Sequence, residues 1–467
     1  MSLTRQKLSP LREKRIGAVS AWSGSLDAFV REAATGEIEQ RIRTYAQDTP
    51  NDVEYALELL RTLDVAIVVH GPAGCAAGLQ RSVGGRLPWL VTNLNERDSI
   101  MGSDVKLRKA IQEAHKAYGA KAIAVVTTPV VAINNDDVDS VTEELKDELS
   151  IPVVAVYVDG FRSKVGSSGL DAVIHALVKH LLPVRRRGEG AHVNLLSVSE
   201  NRSDVDHLRG LLTEIGIESV LFPRFADVQD AAQVVAAKLS VAIDPDAADY
   251  AGKVLEGNYG IPFLRTPAPV GVQATAKWLG ILGKELGLES KVDALVGRES
   301  LRLSKLVQGA SVSGSKVFLN LPASQVFAFR ALAKELGLEV VGIKTPWIAA
   351  HHAALAVEAV QETPELPILA GDGQPFEEVN LLGRIRPDLY ITSGAPAIHV
   401  LRLGIPVLDL SDLPLLGFAG MEQVVRGIER TLSNTALSRF LAEGADEPYD
   451  PSWLKKSVHW YIKQEVK

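Results

Sequence analysis

Short, near-continuous apolar runs alternate with amphipathic stretches along almost the whole chain. The runs at 65–69, 122–126, 153–158, 193–197, 219–222 and 239–243 are rich in Val, Ile and Leu, as are those at 316–319, 339–343, 368–370, 389–392 and 406–410. A strand with one wet face alternates apolar and polar residues, whereas an unbroken apolar run marks a strand buried on both faces. Between the runs, 106–118, 205–215, 273–286, 323–336 and 421–432 carry apolar residues at helical spacing. Alternation on this scale predicts repeated βαβ units, and so an α/β fold of parallel sheets flanked by helices. Gly216 after Ile215 and Gly337 after Leu336 are placed to end helices in the left-handed conformation.

The alternation pauses twice. Arg185-Arg186-Arg187-Gly188-Glu189-Gly190 reads as a solvated linker, and 308–315 is a run of mostly small residues. These breaks separate three similar series, predicting Rossmann-like domains at 1–190, 191–310 and 311–433, followed by a helical tail at 434–467. The tail carries Trp453, Trp460 and Tyr461 among charges. It reads as a docking helix, packed either on its own domain or on a partner.

Composition narrows the function. A chain of 467 residues exceeds one ordinary core. A formal charge of −7 argues against a nucleic-acid partner, which would select a basic face. No apolar run is long enough to span a bilayer, and the basic first fifteen or so residues lead into no apolar signal core. A single cysteine excludes an intrachain disulfide and fits a reducing cytoplasm.

That cysteine is Cys75, in His70-Gly71-Pro72-Ala73-Gly74-Cys75, directly after an apolar strand run. A strand that turns on Gly and Pro into a helix is where α/β proteins expose chemistry. A thiol there can ligate a soft metal or an iron–sulfur cluster, or attack an electrophile; an isolated cysteine can equally be a small buried hydrophobe. One thiol cannot hold a four-ligand cluster by itself. Nothing reads as Gly-x4-Gly-Lys-Ser/Thr, so no nucleotide is expected on this chain. His351-His352 are adjacent and do not face one metal. Asn134-Asn135-Asp136-Asp137 reads as a helix cap rather than a cation site, and Gly371-Asp372-Gly373 as a turn. Arg162, Lys344 and His399 are candidate pocket residues in the clefts between domains; Lys344-Thr345-Pro346-Trp347 follows a strand end and also reads as a plain turn.

Several segments taken together resemble the nitrogenase component 1 superfamily. His70 to Cys75 is similar to its His-Gly-Pro-x-Gly-Cys segment, where the cysteine binds an interface cluster. Thr92 to Asp98 followed by Met101-Gly102-Ser103, Val126-Thr127-Thr128-Pro129 through Asp137, and Asp159-Gly160-Phe161-Arg162 resemble the segments that follow it. Arg386-Pro387-Asp388, Gly404-Ile405-Pro406 and Gly417-Phe418-Ala419-Gly420 resemble closing parts of its third domain. The resemblance implies three Rossmann-like domains of the nitrogenase component 1 type.

It also implies a site. The family's most complete subunits carry three cluster cysteines; here the first falls near Ser20 and the third at Thr128, so Cys75 alone remains. Gly71 and Gly74 would shape the turn around it. The cysteine and histidine that anchor nitrogenase's large cofactor fall at about Gly252 and Leu416, so neither ligand is present. The resemblance then implies a β-like subunit sharing a cluster, 4Fe–4S or larger, with a paralogous α-like subunit that supplies the other cysteines. The complex would be an α2β2 heterotetramer reduced by an ATP-dependent iron–sulfur protein. A cofactor-assembly scaffold, and a degenerate structural paralogue without a cluster, remain alternative readings.

Overall fold

The structure, a computed structural model, describes residues 15–460 apart from 16, 37, 40, 42–48, 84–88, 162, 164, 185–189, 199–200, 225–230, 311, 350–351, 395–396 and 445–448. The break at 185–190 therefore lies almost wholly outside the described residues, as do Arg162, His351 and Tyr461. The chain divides into two compact units: 1–16, 50–199 and 217–265 form one, and 17–49, 200–216 and 266–467 the other.

The strands, in chain order, are β1 (Trp22–Ser25), β2 (Ala66–His70), β3 (Trp89–Val91), β4 (Ile123–Thr127), β5 (Val153–Val156), β6 (Val193–Ser197) and β7 (Ser219–Pro223). Then come β8 (Leu239–Ala242), β9 (Phe263–Leu264), β10 (Lys316–Asn320), β11 (Glu339–Thr345), β12 (Pro367–Ala370), β13 (Leu389–Thr392) and β14 (Val407–Asp409). Every apolar run read as a strand forms one. β1, β3 and β9 were not foreseen, being two to four residues long.

The first unit holds two four-stranded sheets, ordered β3-β2-β4-β5 and β7-β6-β8-β9, with every pairing parallel. Successive residues of a strand face opposite sides. Ile67, Val69, Ala124 and Val126 accordingly enter one core, which continues into the second sheet through the helices Asp52–Leu60, Ser168–His180 and Pro245–Tyr259. Ala66, Val68, Ile123 and Val125 enter another, under the helices Asp104–Tyr118 and Val138–Leu149. Two cores on two faces are why these strands read as unbroken apolar runs.

The second unit holds one six-stranded sheet, β1-β12-β11-β10-β13-β14, parallel except for β1, which pairs antiparallel with β12. Its described tail packs on its own unit. Phe376 meets Tyr449 and Trp453 edge-on, and Arg384 donates to the carbonyls of Leu454 and Lys456. The described part of the tail holds the helix Ala436–Glu443 and the short helical turn Pro451–Leu454.

In the first sheet β2 lies between β3 and β4, so the chain leaves it to one side and returns past it to the other; β6 lies likewise between β7 and β8 in the second sheet, and β10 between β11 and β13 in the third, six-stranded sheet. Open α/β sheets bind ligands at such switch points, beyond the carboxyl ends of the strands.

Candidate functional site

Cys75 follows the switch strand of the first sheet. β2 ends at His70, Gly71 and Pro72 turn the chain, and the helix Ala73–Val83 starts at once. Cys75 is half-buried in the first helical turn, flanked by exposed Ala73 and Gly74. A Cβ added at Gly74 or Gly78 would meet nothing within 4 Å, so the face beside the thiol is open.

Behind the turn everything is packed. A Cβ at Gly71 would lie 2.1 Å from Thr128 Oγ1 and 2.8 Å from its Cγ2, so the chain passes there only as glycine. Thr128 is fully buried and its hydroxyl donates to the His70 carbonyl at 2.9 Å. At the position where the family's third cysteine falls, the side chain is thus turned inward and hydrogen-bonded. Ser20, at the first such position, belongs to the other unit, where its carbonyl backs Gly371.

His70 is also fully buried, and its hydrogen bonds specify one tautomer. Ser103 Oγ donates to Asp136 Oδ2 at 2.5 Å, so it must accept from His70 Nε2 at 3.1 Å. Nδ1 then accepts from Thr92 Oγ1 at 3.1 Å, and that oxygen accepts from the Gly71 amide at 2.9 Å. Burial pushes the imidazole pKa down to about 4, against the pull of Asp136 and Asp104, so the ring is neutral at pH 7. The histidine of the cysteine segment is therefore a brace that ties the turn to Thr92 and Ser103.

The neighbouring polar segments supply caps, foreseen in the sequence for Asn134 to Asp137 and not for Asn95 and Asp98. Asn95 and Asp98 cap the helix Glu96–Met101 reciprocally, and Asp137 caps Val138–Leu149 through the Ser140 amide at 3.1 Å. Asn135 ends Pro129–Asn134 with a φ of 56°. The same sheet edge exposes large apolar side chains: Ile100, Met101, Val105 and Ile133 are each about two-thirds exposed or more, and Phe161 is half exposed.

The positions aligned with the large cofactor's anchors are closed. A Cβ at Gly252 would lie 2.5 Å from the Phe263 ring. Leu416 is buried, and its amide donates to Asp204 at 2.9 Å. Among the described residues no group of three or more His, Cys, Asp or Glu side chains is arranged to hold a metal ion.

At the edge of the third sheet the structure brings Lys344 and His399 together, both on Glu378. Lys344 Nζ lies 2.6 Å and His399 Nε2 3.1 Å from Glu378 Oε2, and the Tyr390 hydroxyl donates to Oε1. Sequence reasoning missed Glu378 and Tyr390. The signal for Glu378 was there: it precedes Leu381 and Leu382 by three and four residues, placing a carboxylate on the buried stripe of the helix Pro375–Ile385. Burial alone would raise this carboxyl, but Lys344 and His399 hold it at about 2. His352 is buried against Trp347 and accepts from the Ala349 amide.

Parallel sheets with a half-buried thiol just beyond a switch strand define an open α/β architecture. The model of the nitrogenase component 1 type oxidoreductase family matches residues 57–433, and the chain belongs to that family. It is 27% identical over 433 residues to the nitrogenase iron-molybdenum cofactor biosynthesis protein NifE of Nostoc sp., covering 86% of this chain and 84% of that one. It is 24% identical over 416 residues to the nitrogenase molybdenum-iron protein alpha chain of Methanococcus maripaludis, covering 83% and 86%. The fold matches a solved structure titled nitrogenase Cp1 at pH 6.5 with a TM-score of 0.72 and 20% identity, over 90% of this chain and 99% of that one. Among the described residues no helix is long and apolar enough to cross a membrane.

Proposed function

We propose that this chain is one subunit of a nitrogenase-like two-component iron–sulfur reductase, and that Cys75 supplies one thiolate to a cluster shared with a paralogous α-like subunit. The observation that carries this reading is the contrast at one turn: Cys75 is half-buried beside open space, while Thr128 is sealed and its hydroxyl is directed at the His70 carbonyl. A hydroxyl is also a poor ligand for iron in a sulfide cluster. The chain therefore brings one ligand and the partner brings three, completing the four a 4Fe–4S cluster requires. The exposed Ile100, Met101, Val105 and Ile133 at the same sheet edge support burial there against another subunit.

In this reading a bound cluster supplies one-electron transfer, with electrons delivered by a separate ATP-dependent iron–sulfur protein. Gly71 and Pro72 set the turn, Gly74 keeps its surface open to sulfide, and the neutral His70 holds the turn without adding charge. The complex is an α2β2 heterotetramer in the cytoplasm. Its β-like place rests on the cysteine count, since the relatives named above are an alpha chain and a biosynthesis protein. The likeness to NifE favours a second reading, a scaffold on which a cofactor is assembled; turnover of a substrate with the iron protein and ATP separates the two.

The test is anaerobic co-expression and co-purification with a three-cysteine paralogous subunit, followed by iron and acid-labile sulfide analysis. Cys75→Ala should lose a large part of both while the two subunits still associate. Unchanged iron and sulfide would overturn the ligand role.

A further inference from the structure

The edge of the third sheet carries chemistry that cluster sharing does not use. Asn320 ends β10, Thr392 ends β13 and Lys344 lies in β11, and the three stand in register across adjacent strands. In-register residues of a parallel sheet share a face, so three polar side chains form one row at the switch point. They are buried, as are Glu378 and Tyr390, on a face otherwise packed by Phe318, Leu381, Leu382 and Val400. An ion pair in such a place has a desolvation cost that apolar residues of the same volume avoid. What it provides is orientation.

Glu378 is ionised and can only accept hydrogen bonds, so His399 Nε2 carries the proton in their 3.1 Å contact. Whenever Nδ1 carries no proton, its lone pair is free to accept one. Among the described residues nothing bonds Nδ1, and the side chain is 28% exposed. A carboxylate that fixes one ring nitrogen while the other faces outward is the arrangement that readies imidazole to take a proton. We propose that His399 Nδ1 is the proton-accepting contact for a small polar ligand bearing an O–H or N–H group, bound at the carboxyl edge between β10 and β13, with Glu378 as its positioning residue. In the transfer the ligand's O–H or N–H bond breaks, its electron pair stays on the ligand, and the proton joins Nδ1. Glu378 balances the imidazolium that results. Lys344 and Tyr390 hold Glu378 in place and touch no ligand.

This inference is independent of the cluster reading and is tested on the full chain without metal. The probe is p-nitrophenyl acetate: Nδ1 attacks the ester carbonyl, p-nitrophenolate leaves with its electron pair, and the Nε2 proton passes to solvent. Peptide mass spectrometry should locate the acetyl group on His399, with a rate that saturates in ester. His399→Gln should remove this adduct, and Glu378→Gln should slow its formation about tenfold or more, the usual scale for loss of a carboxylate that orients a histidine. If Glu378→Gln does not fold, Glu378→Asp keeps a charge for Lys344 while withdrawing it from His399, and should slow acetylation likewise. Acetylation of His399 no faster than that of His192, linear in ester and indifferent to Glu378, would overturn the proposal.

Discussion

The switch-point edges of the first and third sheets each hold a histidine, and the two are built to opposite ends. His70 is sealed, with Nδ1 on Thr92 and Nε2 on Ser103, and burial keeps it neutral. His399 is bonded at one nitrogen, partly exposed, and aligned by an ionised glutamate. In the first edge the histidine braces a turn that presents a different atom, the Cys75 sulfur. In the second the imidazole itself is presented. Histidine near the carboxyl edge of a sheet, whether ending a strand as His70 does or in the following helix as His399 is, thus carries no fixed meaning; its hydrogen bonds distinguish a brace from a contact.

The sharpest way to break this contrast is to remove the carboxylate. Glu378→Ala leaves Lys344 buried and unpaired, and should destabilise the protein by about 3–5 kcal/mol in urea unfolding. The double variant Lys344→Met/Glu378→Leu should recover most of that loss. Failure to recover would mean that the cluster is held by more than its ion pair.

The sealed histidine should show itself through pH. Its pKa falls from 6.5 in the unfolded chain to about 4 in the fold, so the unfolded state binds the extra proton between these values. Stability from His70 is complete above pH 6.5 and is lost as pH falls toward 4, by up to about 3 kcal/mol. His70→Asn should flatten that share of the slope in denaturation midpoints measured from pH 7 to 4.

Smaller effects follow at the turn. Gly71→Ala sets a methyl into Thr128 and should cost about 1–3 kcal/mol, with Thr128→Ala relieving most of it in the double variant. Smallest of all, Cys75→Ala in the isolated chain should change stability by no more than about 0.5 kcal/mol, because a half-buried thiol beside open space leaves little cavity. A large loss would instead mark Cys75 as a packing residue.

Much of this was legible in the sequence, and for identifiable reasons. The apolar runs gave their strands because both faces of each sheet are covered, as the split of Ile67 and Val68 between two cores shows. The cysteine turn was legible because Gly71, Pro72 and Gly74 are residues whose backbone preferences are local. The pairing of β1 with β12 was not, since Trp22–Ser25 has too few residues for a period and its partner lies more than three hundred residues away. His70 was visible, but Thr92, Ser103 and Asp136 could be joined to it only through the fold. Lys344 and His399 stood out as polar residues near element ends, whereas Glu378 was concealed in a helix whose other inward positions are apolar.

The central claim is that Cys75 is a ligand to one iron of a shared cluster. The most direct measurement is the electron paramagnetic resonance spectrum of the dithionite-reduced heteromeric complex, wild type against Cys75→Ser. Exchange of sulfur for oxygen at one iron should shift the signal while much of the iron is retained. Identical spectra at identical iron content would show that Cys75 binds no cluster and would contradict the account.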